Sequence, residues 1–591
     1  MTAKIPLQIV ELRQPRCALR FGTAPCIATG TPKCYNTWGS CPSAATRVHY
    51  DATGSIWWRF VANRPGNYLF GDYSDPDNIR THGIPVSGLS ISTTKSELNV
   101  SGILDGKSPF GIHASCSVSM DDFVFNDVWG DHYLADRVNM PTRPFWAPWL
   151  ARNRLFGGME LVIYTGYEGD ALAAMSQQLY IFEGVDGPSG GKVTLRGVDP
   201  LRLADSKRSL FPPAYTMSLK TDITAADTSL TVITDAENNI SGIIGLTTQR
   251  HVLIGSEVIG YSGYTVVTAG EYLLTGLTRA MGGTTAAAAS AGDKIGRVGH
   301  FEDAILADCA EYLLSDWTPV GAARIDTATW HYERDHYLST SRCNTFITSL
   351  TAADVLCGEL CQQGTFNIWW DERAQLVKMQ AVRPPEGTPV ALTDATAILA
   401  DSASMTMEPD SRLTRVLVYY DQIDVTKTGA SNYRVVTGQI EADGEAEAAG
   451  GEPRTLQIFA RWVQTEAQAY QVISRTLLRY RDVPRFATIK VSAKDMAISA
   501  GDTVDVTTRT VIDSEGRSKT VRWQVISWAE VKAGETYLLD LQDFTLVGRF
   551  GSWMAPGADY AGSTTDEHDT GAFWADSAGL MPDGSDGYQW S

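Results

Sequence analysis

Short runs in which apolar and polar residues alternate, divided by Gly-rich and polar turns, recur along the chain and predict a mainly β protein. In residues 49–205, IWWRFV, ASCSVSMDDF and GGMELVIYTGY read as strands, and VTLRGVDPLRLAD as a strand that breaks at Asp199-Pro200. Residues 214–298 read as a separate small β module, with AADTSLTVIT, HVLIGSEVIGYSGY and EYLLTGLTRAMGG as strand material. In the short alternating stretch Ile254–Ile259, Glu257 falls at a solvent-facing position; a catalytic carboxylate is the sharper, weaker alternative.

The period then changes. FEDAILADCAEYLLSDW (301–317) carries apolar residues at spacings of three and four and predicts an amphipathic helix with Cys309 in the core. TAADVLCGELCQQG (351–364) predicts a second helix, capped by Thr351 and stopped by Gly364, with Cys357 and Cys361 one turn apart on its buried face. FNIWWDERAQLVKMQAV follows as a hairpin turning at Asp371–Ala374. From 386 to 550 the pattern returns to β, with one helix capped by Thr465 and ending before Pro484, and an acidic loop at 441–453. Residues 551–591 hold seven acids and no Lys or Arg. They predict an irregular tail that docks through Trp553, Trp574 and Trp590 or stays loose.

The chain is therefore expected to divide into an amino-terminal arm (1–48), a first β domain (49–213), the inserted module (214–298), a helix–helix–hairpin connector (299–385), a second β domain (386–550) and the tail (551–591). Two similar β domains suggest duplication, although no sequence self-match proves it. No run reaches 18 apolar residues, so no transmembrane helix is expected. The net charge of −19 argues against sequence-independent nucleic-acid binding, but it does not exclude an acidic channel through which DNA slides without sticking.

Candidate chemistry concentrates in the arm, where Cys17, Cys26, Cys34 and Cys41 lie in RCALRFGTAPCIATGTPKCYNTWGSCP, separated by eight, seven and six residues. So short and polar a segment needs a clamp to hold one conformation. Four thiolates suit an iron–sulfur cluster or tetrahedral zinc. Zinc sites usually include a close Cys pair, which is missing here, so the cluster fits the gaps better. Two disulfides are the second reading. They require an oxidising compartment, and no apolar run of signal-peptide length follows the early lysine. Four unlinked core cysteines suit so polar a segment poorly. Lys4, Arg13, Arg16, Arg20, Lys33 and Arg47 surround the thiols, and Glu11 is the sole acid of the first 48 residues; positive charge favours thiolate.

Catalytic signatures are missing. No His-Glu-x-x-His, Gly-x-Ser-x-Gly or Walker loop occurs. His331, Glu333 and His336 in HYERDHY read as an exposed polar connector, and adjacent Asp131 and His132 point apart. Trp57, Trp58, Trp146 and Trp149 suit core packing better than sugar stacking on a receptor polysaccharide. A cell-wall hydrolase or cluster-dependent redox enzyme is the least supported class.

Several of these segments together resemble the tail-tip (baseplate) hub proteins of long-tailed, non-contractile bacteriophages and gene transfer agents. PRCALRFGTAPC…KCYNTWGSC is similar to an amino-terminal cysteine signature of such proteins. HVLIGSEVIGYSGY…LTGLTRAMGGTTAAAASAGDKI resembles a recurrent tail β insertion at Gly255, Glu257, Tyr261, Arg279, Gly283, Thr284, Gly292 and Asp293, with Ala289 or Ser290 where the family often has His. ADVLCGELCQQGTFNIWWDE resembles the helix–hairpin between hub barrels, and RFGSWMAPGADYAGS…GLMPDGSDGYQW also fits. The resemblance implies a non-enzymatic virion protein assembled in the bacterial cytoplasm. It implies two tube-like β-barrel hub domains per chain, with a homotrimer joining a hexameric distal tail ring to a trimeric tip or central fibre. The lumen would pass the tape-measure protein and then DNA. An iron–sulfur cluster, expected as [4Fe-4S], would sit on Cys17, Cys26, Cys34 and Cys41.

Overall fold

The computed structural model describes residues 5–543 apart from 20–22, 27–33, 42–52, 63–83, 95–96, 99–103, 105, 107–108, 112, 126–142, 168–169, 205–208, 215, 235–239, 241, 384–387, 440–452, 493–496, 513–514 and 533. The acidic loop expected at 441–453 (but for its last residue), Asp131, His132, and the carboxy-terminal tail with its three tryptophans lie outside the described residues.

Four β assemblies and a helical connector make a mainly β, multidomain chain. The first is an eight-stranded sheet in the order Ile84–Val86, Gly54–Ala62, Pro6–Arg16, Glu160–Tyr167, Ser176–Ser189, Lys192–Val198, Ser115–Asp121, Ser90–Thr93. Residues 6–16, counted with the arm on sequence, are a central strand of this sheet, antiparallel to both neighbours. Its two faces serve two cores. Val10 and Leu12, with Leu161 and Ile163 beside them, pack with Trp58, Phe60 and the helix Trp146–Arg152. Leu7, Ile9, Val162 and Leu179 face the connector. Burial on both sides explains why ELVIYTGY is nearly continuously apolar rather than alternating.

The inserted module is a closed six-stranded barrel, ordered Met217–Leu219, Ser229–Thr234, Glu271–Met281, Glu257–Thr268, Arg250–Ile254, Lys294–Arg297 and back to the first strand. It encloses its own core of Leu219, Val232, Val252, Ile259, Tyr272 and Leu274. Among the described residues this is the one closed barrel. The regions expected as hub barrels present open strand orders.

In the connector, the helix runs Leu306–Asp316, starting later than the pattern predicts because Gly299–Ile305 is extended and pairs with Arg342–Ile347. Cys309 is fully buried on it, as expected. The second helix runs Ala353–Gly364, and its N-cap is Ala352 rather than Thr351. Its left-handed C-terminal residue is Thr365, with φ 54°, not Gly364. Gly364 serves close packing instead: a Cβ there would lie 2.4 Å from the Phe366 ring. Cys357 and Cys361 are both buried, and burial pushes both thiols up. The hairpin Phe366–Asp371 and Leu376–Ala381 turns as expected, the Asp371 carboxylate accepting from the amides of Arg373 and Ala374 at 3.0 and 2.9 Å.

The second β region contains a six-stranded sheet and a three-stranded sheet. The helix Glu466–Tyr480 packs on the latter through Ala469, Val472, Ile473, Thr476, Leu477 and Tyr480, a single apolar stripe. Thr465 caps it in a reciprocal capping box with Gln468.

Candidate metal centre

The strand Pro6–Arg16 delivers Cys17 at its carboxy-terminal end. The Cys17 amide donates to the Asn36 carbonyl at 2.7 Å, tying the first cysteine segment to the third. Asn36 adopts φ 59°, a conformation Asn tolerates better than most side chains. Its side-chain amide donates to the carbonyls of Cys17 and Leu19 at 3.0 and 2.9 Å, and its backbone amide donates to Cys34 Sγ at 3.3 Å. Next, Thr37 opens a 3₁₀ turn, Trp38–Ser40, that leads into Cys41. Thr37 Oγ1 donates to the Arg152 carbonyl at 2.9 Å, and the Arg152 guanidinium lies 3.8 Å over the Tyr35 ring. Gly39 is needed here, since a Cβ would stand 2.7 Å from the Arg152 carbonyl oxygen.

Cys17 and Cys26 are buried, Cys34 and Cys41 half-buried, and none is in a disulfide. Burial pushes the Cys34 thiol up. The Asn36 amide opposes this, while the charges of Cys41, Cys17 and Cys26 add to it. Four cysteines are, by residue type, a donor set that can ligate a metal as thiolates. Among the described residues, no group of three or more His, Cys, Asp or Glu side chains stands ready to hold a metal ion.

Beside the clamp lies an open cleft of about 270 Å³, lined by Pro15, Trp38, Arg152, Leu155 and Met159 among others. On the same strand as Pro15, Glu11 is fully buried. Its carboxylate accepts from Arg13 at 2.7 Å, Arg59 at 2.5 Å and the Tyr164 hydroxyl at 3.1 Å. The lone acid of the basic segment is thus the anchor that neutralises two of the chain's arginines. Gln14 accepts from the indoles of both Trp58 and Trp149 at 2.8 Å. Trp58, Trp146 and Trp149 are buried and offer no face to a sugar; Trp57 is 43% exposed, flanked by Arg13 and Arg59.

Glu257 corrects the sequence reading. It is buried, neither solvent-facing nor in a catalytic setting, and forms a bidentate pair with Arg279, both bonds 2.8 Å. The amides of Ala280 and Ala287 donate to it at 3.1 and 3.0 Å. Burial alone would raise its pKa; Arg279 and the two amides outweigh that and hold it below the usual carboxylate range. Arg279 also donates to the carbonyls of Thr224 and Ala287, so one ion pair ties three loops of the barrel mouth. The missed signal is that residues 257–261 have no polar alternation of their own.

Another residue the sequence did not single out is His251. It is buried at the joint between barrel and connector, and neither ring nitrogen has a partner among the described residues. It meets His300 edge to face at 4.7 Å, and His300 stacks on Phe346 at 3.9 Å. Burial, with His300 beside it, pulls His251 down to about 3 against the opposite pull of Glu302. His331 and His336 lie near the surface of the connector, while Glu333 between them is buried and bound to Arg383.

No protein-family model and no curated protein matches the chain. Among solved structures it is similar to the prophage MuSo2 43 kDa tail protein from Shewanella oneidensis, with 10% identity, TM-score 0.33, and coverage of 77% of this chain and 93% of that one. The prophage tail protein gp18 from Listeria monocytogenes EGD-e gives 11% identity, TM-score 0.23, and coverage of 56% and 87%. A chain of the virion of a native gene transfer agent particle gives 12% identity, TM-score 0.29, and coverage of 56% and 84%. At these TM-scores the likenesses carry no argument, and the function is argued from the chain itself.

Proposed function

We propose that the chain is a structural virion protein: a homotrimeric hub at the tip of a non-contractile phage or gene-transfer-agent tail. The observation that carries the reading is the order of parts. The segment bearing Cys17, Cys26, Cys34 and Cys41 follows the strand Pro6–Arg16, a self-contained barrel is inserted after the first β region, and a helix–hairpin connector leads to the second. That order follows the segments whose sequences resemble such hubs. In this role the trimer joins the distal tail ring to the tip or central fibre protein, and its lumen conducts the tape-measure protein and then DNA. The assembly takes place in the host cytoplasm, and no enzymatic step is required of it. Among the described residues, no helix is long and apolar enough to cross a membrane.

Cys17, Cys26, Cys34 and Cys41 would hold an iron–sulfur cluster, with zinc as the alternative. Such a group supplies four metal–sulfur links between loops that otherwise share a few hydrogen bonds. The role of this chain's own residues is to position the thiols: Asn36 fixes the Cys17 and Cys34 segments, and Thr37 ties Cys41's turn to Arg152.

The test is protein purified without oxygen, with an absorption spectrum and iron, sulfide and zinc counted per chain, alongside the mass in solution by light scattering. A brown trimer with roughly four iron and four sulfide per chain supports both parts. One zinc per chain replaces the cluster and leaves the hub. A metal-free chain with linked cysteines removes the metal centre, and a strict monomer that adds to neither tail ring nor tip removes the hub.

A further inference from the structure

Away from the clamp, the connector holds four more cysteines, 309, 343, 357 and 361, all in one apolar core. Two of them touch. Cys309 on the helix Leu306–Asp316 and Cys343 on the strand Arg342–Ile347 have their sulfurs 3.6 Å apart, and both side chains are buried. Cys357 and Cys361 lie on the same helix, one turn apart.

We propose that Cys309 and Cys343 are an oxidation site that closes into a disulfide when the protein meets a small peroxide, stapling the connector's first helix to its strand. Contact at 3.6 Å leaves the sulfurs about 1.5 Å from bonding distance. The chemistry balances with hydrogen peroxide as oxidant. The Cys343 sulfur attacks one peroxide oxygen, the O–O bond breaks, and one water leaves as the sulfenic acid forms. The Cys309 sulfur then attacks Cys343 sulfur, the S–O bond breaks, and a second water leaves. Two thiols lose two electrons and two protons, and one peroxide becomes two waters.

The position gives the staple a consequence. Residues 309 and 343 bracket the segment 310–342, which carries the helix Thr327–Glu333 and the Glu333–Arg383 pair. The strand Gly299–Ile305, leading out of the inserted barrel, pairs with the strand that carries Cys343. A bond here locks the root of the barrel to the body. Burial favours the thiol form of Cys309 and slows the reaction, so the pair stays reduced in a thiol-rich cytoplasm and responds only to a small oxidant that penetrates the core.

The test uses the full-length chain, reduced and then exposed to hydrogen peroxide, denatured in an alkylating reagent, digested and mapped by mass spectrometry. Cutting after Lys and Arg isolates Cys309 from the clamp and from Cys343. A further cut at Phe346 separates Cys343 from Cys357 and Cys361. The expected result is a linked Cys309–Cys343 peptide, the loss of two alkylation sites, and an upward shift of the thermal midpoint that reductant reverses. Cys343→Ala should abolish the linked peptide and the shift. Both cysteines recovered singly alkylated after peroxide, or Cys309 linked elsewhere, would overturn the proposal. The wild-type map decides it even where a variant fails to fold.

Discussion

The inserted barrel and the cysteine clamp both surround a polar centre, and they secure it in opposite ways. In the barrel, Glu257 and Arg279 pair at the mouth of a closed sheet that has its own apolar core, and every arm of the pair is matched by backbone groups. Around the four cysteines, order rests on Asn36, Thr37 and the Arg152 carbonyl at the end of a neighbouring helix. The lesson is that polar residues recurring in a short β motif can be internal mortar when the strands close around them, whereas clustered thiols without a core demand something more to hold them.

The comparison breaks most sharply at Glu257. Glu257→Ala leaves a buried guanidinium and two amides without their acceptor, and should destabilise the barrel by about 3–5 kcal/mol, read by urea unfolding with hydrogen exchange resolved to residues 217–297. A loss below about 1 kcal/mol would show the pair to be dispensable.

Acid sharpens the contrast next. With His251 held down to about 3 when folded and near 6.5 when unfolded, the unfolded chain binds the extra proton. Stability is therefore full above about 6.5 and falls as pH drops toward 3. Glu257, whose folded pKa is lowered, adds a loss only as pH falls below the ordinary carboxylate range. Thermal midpoints measured from pH 7 to 4 should fall by a few kcal/mol equivalent in the wild type. His251→Phe should flatten the part above pH 5; an unchanged slope would assign the acid response elsewhere.

Asn36→Ala probes the clamp. It removes two hydrogen bonds and the residue type that tolerates φ 59°, a local loss of about 1–3 kcal/mol. Alkylation of Cys17 and Cys34 should accelerate at least tenfold, roughly the equilibrium change of 1.4 kcal/mol. Equal rates would mean that the thiols are ordered without it. At the small end, Arg522→Ala, breaking an exposed pair with Asp505 at 2.9 Å, should change stability by less than about 1 kcal/mol in the same urea assay.

Much of the β content was legible because alternation survives wherever one face is wet, as in Ser115–Asp121, whose odd positions are half-buried and even ones buried. The helix after Thr465 was legible because its cap, stripe and terminating Pro484 agree. What sequence hid was tertiary. Residues 6–16 look like a tail of the arm until their neighbours at 54–62 and 160–167 are known. Phe301–Ile305 continues a helical period yet is held extended by pairing with 342–347. Of the candidate centre, the cysteines were legible, but Asn36, which holds two of their segments together, carries no local signal beyond its residue type.

One set of contacts bears on how the chain is made. Leu98 donates its amide to Ile526, Tyr167 its hydroxyl to the Gly534 carbonyl, and Gln375 its side-chain amide to Gln177, joining segments hundreds of residues apart. The Leu98 and Tyr167 links can form only after residues 526 and 534 have left the ribosome, and the Gln177 link once residue 375 has. Residues 98 and 167 therefore wait for the strands Ser518–Lys532 and Thr536–Asp543 and the turn between them. Joining these segments is a closing step of long sequence separation, slow by loop entropy and exposed to misassembly while it lasts. The inserted barrel, complete within residues 217–297, is free to finish long before.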